Sequence, residues 1–242
     1  VSLDWDRVFD ISARQRLLPL LYENTRELLP EEVAENVLSR FKSAYVSNSI
    51  KNLSYTGFLL KTIDLLEQSG VQVVPFKGPV MAEDVYGDIA LRVFSDLDIL
   101  VSSSDAIAAW HVLEENGLQP ELDLDDRQKK KYVKTEDNLS FSLKSRGIVV
   151  ELHWELSGCY LSAPLTLEQM QEDLCRISVL EKEVQILCPE MLLVFLCIHG
   201  SKEGWGCLEQ VCSVSEIIRR KKDLDWSYVE RLASRWKCRR IL

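Results

Sequence analysis

Hydrophobic positions along this chain repeat with helical spacing at both ends and alternate with strand spacing in the middle. Leu17, Leu18, Leu20, Leu21 and Leu28 open a helical region, and Val33, Val37, Phe41 and Tyr45 then recur every fourth residue along one face. Pro30 and the two glutamates after it suit the first turn of that second helix, because proline has no N–H to lose there and acids favour the N-terminal dipole. Leu59, Ile63 and Leu66 predict a further helix over about 48–68, closed by Ser69-Gly70.

The period then changes. Residues 71–76 form a short apolar run that predicts a strand, ending in the turn Lys77-Gly78-Pro79. A helix and loop over 81–93 carry Tyr86, Asp88 and Arg92, and a second apolar run, Leu97, Ile99, Leu100 and Val101, encloses Asp96 and Asp98. Ser103 or Ser104 is placed to cap a helix carrying Ala106, Ala109, Trp110 and Leu113, which Asn116-Gly117 closes. Residues 119–137 are polar and predict a long loop or short helix, followed by strands at 139–143 and 148–154. Beyond these, helices are predicted at 165–174, 189–200, 208–220 and 226–239, with a short strand at 177–179 or 184–187.

Composition narrows the class. The chain has 242 residues, 46% hydrophobic and 28% charged, ordinary for globular protein. Its longest apolar run, 191–198, is far short of the roughly 18 to 20 residues a membrane helix needs. A net charge of −9 disfavours polyanions, and the basic clusters at 127–131, 219–222 and 237–240 lack the interleaved aromatics of a base-stacking surface. A small substrate is therefore expected rather than nucleic acid or a membrane. Seven cysteines, an odd number without C-x-x-C spacing, point to reduced thiols and a cytoplasmic location. With Val1 first, no leader pattern, and Arg239-Arg240-Ile241-Leu242 last, the chain is expected to be an excerpt of a longer one.

The candidate chemistry lies in the middle. On a strand, Asp96 and Asp98 share one face, with Cα atoms roughly 6.7 Å apart. Like charges so placed repel and resist burial, and a divalent cation between them removes both penalties. Gly78 lets backbone approach a phosphate at a helix start, and Lys77 offers it a point charge. Two roles are open to Arg92: pairing with a phosphate, or neutralising Asp88 or Asp96. In the strand at 148–154, Ile148, Val150, Leu152 and Trp154 share a face while Glu151 and His153 share the other.

Lys77-Gly78, Tyr86-Gly87, Arg92, Ser95-Asp96-Leu97-Asp98 and Glu151-Leu152-His153-Trp154 together resemble the DNA polymerase beta-like nucleotidyltransferase superfamily, and within it a family of bacterial nucleotidyltransferases. The resemblance extends over about 52–218, and departs from the superfamily at Pro79, where a second small residue usually follows the glycine. It implies an α+β fold: a small mixed β-sheet nucleotidyltransferase core with helices on one face and helical segments before and after, divided at 1–48, 49–160 and 161–242. It also implies Asp96, Asp98 and Glu151 as catalytic, metal-holding carboxylates for two Mg²⁺ or Mn²⁺ ions. Lys77, Gly78, Arg92 and His153 would contact the nucleotide, with ATP the expected triphosphate. His199-Gly200, Trp205, Leu208 and the helix at 214–218 fit the helices that cover the cleft, with Ser213 where an aspartate is expected. The implied activity is nucleotidyl transfer to a hydroxyl or amine acceptor. The alternatives are a nucleotide-binding module without catalysis and an enzyme adding AMP to proteins.

Overall fold

The computed structural model of the chain describes residues 3–27, 35–156 and 165–242. Leu28, Pro30, Val33 and Cys159 lie outside the described residues. Helices α1 (Trp5–Arg14) and α2 (Leu18–Thr25) pack on α3, a 34-residue helix from Glu35 to Gln68. The break expected near Asn48 is absent, and one helix runs through it. Asn48 and Asn52 turn their side-chain amides sideways, to carbonyls of a neighbouring loop, so neither interrupts the helix.

Strand β1 (Val73–Pro75) leads to the short helix α4 (Gly78–Met81), which widens into a π-type turn over Ala82–Tyr86 and stops at Gly87 in the left-handed region, φ 71°. Then come β2 (Asp96–Val101), α5 (Ala106–Glu115), β3 (Gln119–Pro120), α6 (Asp126–Thr135), β4 (Asn138–Leu143) and β5 (Ile148–His153). The strands form one mixed sheet in the order β1-β2-β5-β4-β3, in which β2 and β5 are parallel and the other pairs antiparallel. The fold is α+β, as the resemblance implies.

Two local expectations need correction and one is decided between its alternatives. The cap of α5 is Asp105 rather than Ser103 or Ser104, with the Ser102 hydroxyl accepting from the Asp105 N–H. Of the long loop or short helix expected over 119–137, a helix forms, α6, because Asp125 and Gln128 form a reciprocal capping box at its start. Residues 165–174 hold a three-residue-per-turn helix, Leu167–Asp173, and then strand β6 (Leu174–Val179), which pairs with β7 (Lys182–Leu187) as a hairpin, so both candidate strands exist. Helices α7 (Pro189–Lys202), α8 (Leu208–Arg220) and α9 (Trp226–Arg235) follow.

The sheet separates two cores. Leu97, Ile99, Val101, Val150 and Leu152 face α3 and α5, while Val74, Phe76 and Leu100 face α7 and its neighbours. Alternation therefore sends Asp98 toward the C-terminal helices, where α7 and α8 leave a cleft above the ends of β2 and β5. Burying the aliphatic face of β2 fixes the register, since a slip of one residue would send both aspartates into the core. Among the described residues no helix is long and apolar enough to cross a membrane, and the six described cysteines are unpaired.

Candidate active site

Parallel pairing of β2 with β5 sets Asp98 opposite Glu151, and Leu100 opposite His153. Strand order thus turns two distant acidic patterns into one cluster: oxygens of Asp98 and Glu151 and a nitrogen of His153 all lie within 4.8 Å of one another. Asp98 is 3% exposed, so its charge needs compensation. Lys77 Nζ donates to Asp98 Oδ1 at 3.1 Å, and His153 Nε2 lies 3.5 Å from the same oxygen and 3.3 Å from Glu151 Oε2.

The charges carry matching shifts. Burial alone would raise the Asp98 carboxyl, but Lys77 and His153 outweigh it and hold it well below the usual range. Asp96 goes the other way, raised by burial and by the repulsion of Asp98 and Glu151. This is the like-charge penalty expected from an Asp-x-Asp strand. Burial opposes a charged His153, yet the two carboxylates beside it lift its pKa above the ordinary value.

Among the described residues, His153 Nε2 is a buried nitrogen without a hydrogen bond, aimed between two carboxylates. Two oxygen donors and one such nitrogen fit a divalent cation, and the imidazole suits Mn²⁺ better than Mg²⁺. Asp96 lines the same cleft but stands outside the three-atom cluster.

The turn before α4 is built as the glycine predicts. Gly78 has φ +58°, so any side chain there would be strained, and a Cβ would lie in van der Waals contact, at 3.4 Å, with the backbone oxygen of Asp96. Pro79 occupies the first turn of α4. A ladder of rings backs the site: His153 against Phe76 at 5.1 Å, Phe76 against Phe195 at 5.3 Å, and Phe195 stacked on His199 at 5.9 Å. His199 lines the cleft, and burial together with nearby Lys77 pushes its pKa down to about 4, so the ring is neutral.

Arg92 reaches the cleft wall, but neither Asp88 nor Asp96 is its ion-pair partner. Its Nε donates to Glu209 Oε1 of α8 at 2.7 Å, with both side chains buried. Ser213 Oγ also donates to Glu209 Oε1 at 2.7 Å, so its lone pair accepts the Tyr86 hydroxyl at 2.9 Å. Glu209 was invisible to motif reasoning. The available signal is its i, i+4 spacing to Ser213 on the buried face of an amphipathic helix. Ser213, where an aspartate was expected, belongs to this network.

The cleft encloses about 560 Å³ and is walled by the ends of β1 and β5, by α7 and α8, and by Arg14 and Arg16 from the turn after α1. A mixed sheet carrying acids on two parallel neighbours under a helical cover is a nucleotidyltransferase fold. The solution structure of the antibiotic-resistance factor ANT(2'')-Ia superposes with a TM-score of 0.55 at 11% identity, over 78% of this chain and 94% of that one. The crystal structure of ANT(2'')-Ia with adenylyl-2''-tobramycin gives 0.54 at 11% identity, over 77% and 99%. The lincomycin-bound lincosamide antibiotic adenylyltransferase LnuA gives 0.46 at 13%, over 66% and 93%. Comparison with curated protein sequences finds no match. The chain belongs to the family described as uncharacterised nucleotidyltransferase, whose model matches residues 2–242.

Proposed function

We propose that this protein transfers a nucleoside monophosphate from a nucleoside triphosphate, ATP first among them, to a hydroxyl or amine of a small-molecule acceptor. The observation that carries the reading is the Asp98, Glu151 and His153 donor set, closed by parallel strands beside Asp96 and the Gly78 turn. Asp96, Asp98 and Glu151 would hold divalent cations, with His153 as a nitrogen donor. Bound there, such ions neutralise charge on the reacting phosphate and lower the pKa of the attacking hydroxyl.

The chain's own groups have distinct tasks in this reading. Gly78 lets the backbone come close to the phosphates, and Lys77 holds Asp98 ionised and in place. Glu151, with a side chain 31% exposed, faces the cleft and can take the acceptor's proton. Neutral His199 offers a hydrogen bond without adding charge. A small acceptor is favoured by the enclosed cleft and by the fold neighbour described with adenylyl-2''-tobramycin.

The test is calorimetric titration with ATP, with and without Mg²⁺ or Mn²⁺, on the intact protein and on an Asp96→Asn/Asp98→Asn variant. Metal-dependent binding lost in the variant is the expected result. Pyrophosphate release should then follow in a screen of small hydroxylated and amino acceptors, with label from α-³²P-ATP in the small-molecule fraction. Failure of every nucleoside triphosphate to bind would sink the reading.

A further inference from the structure

The cations nearest the carboxylates are already matched. Lys77 is 3.1 Å from Asp98, and Arg92 is 2.7 Å from Glu209 in a buried network. A triphosphate brought to this cleft needs other positive groups for its outer charges. Arg14, Arg16 and Lys202 line the same cleft, and among the described residues none of them makes an ion pair with an acid within 4 Å. Arg14 Nε makes only a 3.4 Å contact to the Asp10 carbonyl. Asp137 and Glu203 are the other acids on the cleft wall, besides the site carboxylates and Glu209.

The turn carrying the two arginines is fixed in place. Helix α1 ends with Arg16 N donating to Ala13 O at 3.1 Å and Leu17 N to Ser12 O at 2.8 Å, which sets Arg16 at φ 56°. Glycine is the usual residue at that position of such a helix end, since it enters the left-handed region without cost. Between the arginines, Gln15 Oε1 accepts the first N–H of α8, from Leu208 at 2.7 Å, and Gln15 O accepts from Cys207 Sγ at 3.3 Å. The N-terminal segment therefore caps a helix of the cleft wall, and that contact fixes the backbone turn from which both exposed arginines reach the cleft.

We infer that Arg14 and Arg16, with Lys202 of the same cleft, form a polyphosphate subsite that grips the outer phosphates of the nucleoside triphosphate. The inference rests on the transferase reading for its ligand but not for its test. Guanidinium groups pair with phosphate oxygens in fork geometry, and an arginine in a glycine position keeps a side chain where the fold would prefer none.

The experiment compares binding of Mg-ATP, AMP and inorganic tripolyphosphate to the intact protein and to Arg14→Gln/Arg16→Gln and Arg16→Gly variants. The double variant should lose about tenfold or more in affinity for ATP and tripolyphosphate, as expected for lost charge-assisted bonds, with AMP affinity unchanged. Arg16→Gly should weaken ATP binding while leaving the melting temperature equal or higher, which a structural role for the side chain would not give. Equal ATP affinity in all three proteins, or an equal loss for AMP, overturns the subsite. Arginine-dependent tripolyphosphate binding without nucleotidyl transfer to any acceptor would overturn the transferase reading and leave the subsite standing.

Discussion

Two buried charge clusters contribute to the cleft wall, and they are finished to different degrees. In the Arg92–Glu209–Ser213–Tyr86 network the cation, the carboxylate and both hydroxyls have partners, at 2.7 to 2.9 Å. In the Asp98–Glu151–His153 cluster the distances to His153 stretch to 3.3 and 3.5 Å, a buried imidazole nitrogen lacks a hydrogen bond, and Asp96 is pushed toward its neutral form. A polar group buried without a partner costs stability, and the second cluster carries that cost where the first does not. The first network joins α8 to the π-type turn and the loop ahead of β2. The second leaves a buried nitrogen without a partner.

Substitutions should separate the two. Asp98→Asn is expected to cut pyrophosphate release by about a hundredfold to a thousandfold, the scale of losing one electrostatic anchor of a transition state, with the fold retained by circular dichroism. Glu209→Ala should destabilise the protein by about 3–5 kcal/mol, because it strands the Arg92 charge in the interior; denaturant unfolding measures it. A melting temperature unchanged by that substitution would dissolve the contrast. Saturating Mn²⁺ at about a hundred times its dissociation constant should stabilise the intact protein by about 2.7 kcal/mol. His153→Ala and Glu151→Gln should remove most of that gain, while Arg92 and Glu209 variants keep it.

Two smaller effects sharpen the comparison. Burial opposes ionisation of Glu209, but Arg92 and Ser213 prevail and hold its pKa below the ordinary 4.5. A carboxylate lowered in the folded state contributes stability above its unfolded pKa and loses it as pH falls through the folded value. Acid unfolding should therefore steepen below about pH 4.5, and Glu209→Gln should flatten that limb. Asp96→Asn relieves repulsion, so it should leave stability unchanged or raise it by about 1 kcal/mol at neutral pH while lowering activity.

Much of the site was legible because strand alternation is a local property. Asp96 and Asp98 against Leu97, Ile99 and Val101, and Glu151 and His153 against Val150 and Leu152, state their faces without any tertiary information. That β2 and β5 lie side by side and parallel is a tertiary fact, which neither strand states by itself. The partner of Arg92 could not be read, since Glu209 lies 117 residues away and an exposed or a buried glutamate looks the same in a helical repeat. Helix α6 could not be told from a loop for the opposite reason: with Lys129 its only buried residue, it has almost no apolar stripe to detect. Hairpin β6–β7 was blurred because its first strand is mostly exposed and shows no clear alternation.

The segment from Ile89 to Phe94, just ahead of the carboxylate strand, takes much of its shape from helix α3. Asn48 Nδ2 donates to the carbonyls of Ala90 and Arg92, Asn52 Nδ2 to those of Ile89 and Arg92, and Lys51 Nζ to that of Phe94. Residues 73–101, contiguous and rich in motifs, are thus not a portable cassette. Grafted into another scaffold without the matching turns of α3, they would carry the motif but lack the mould that sets it.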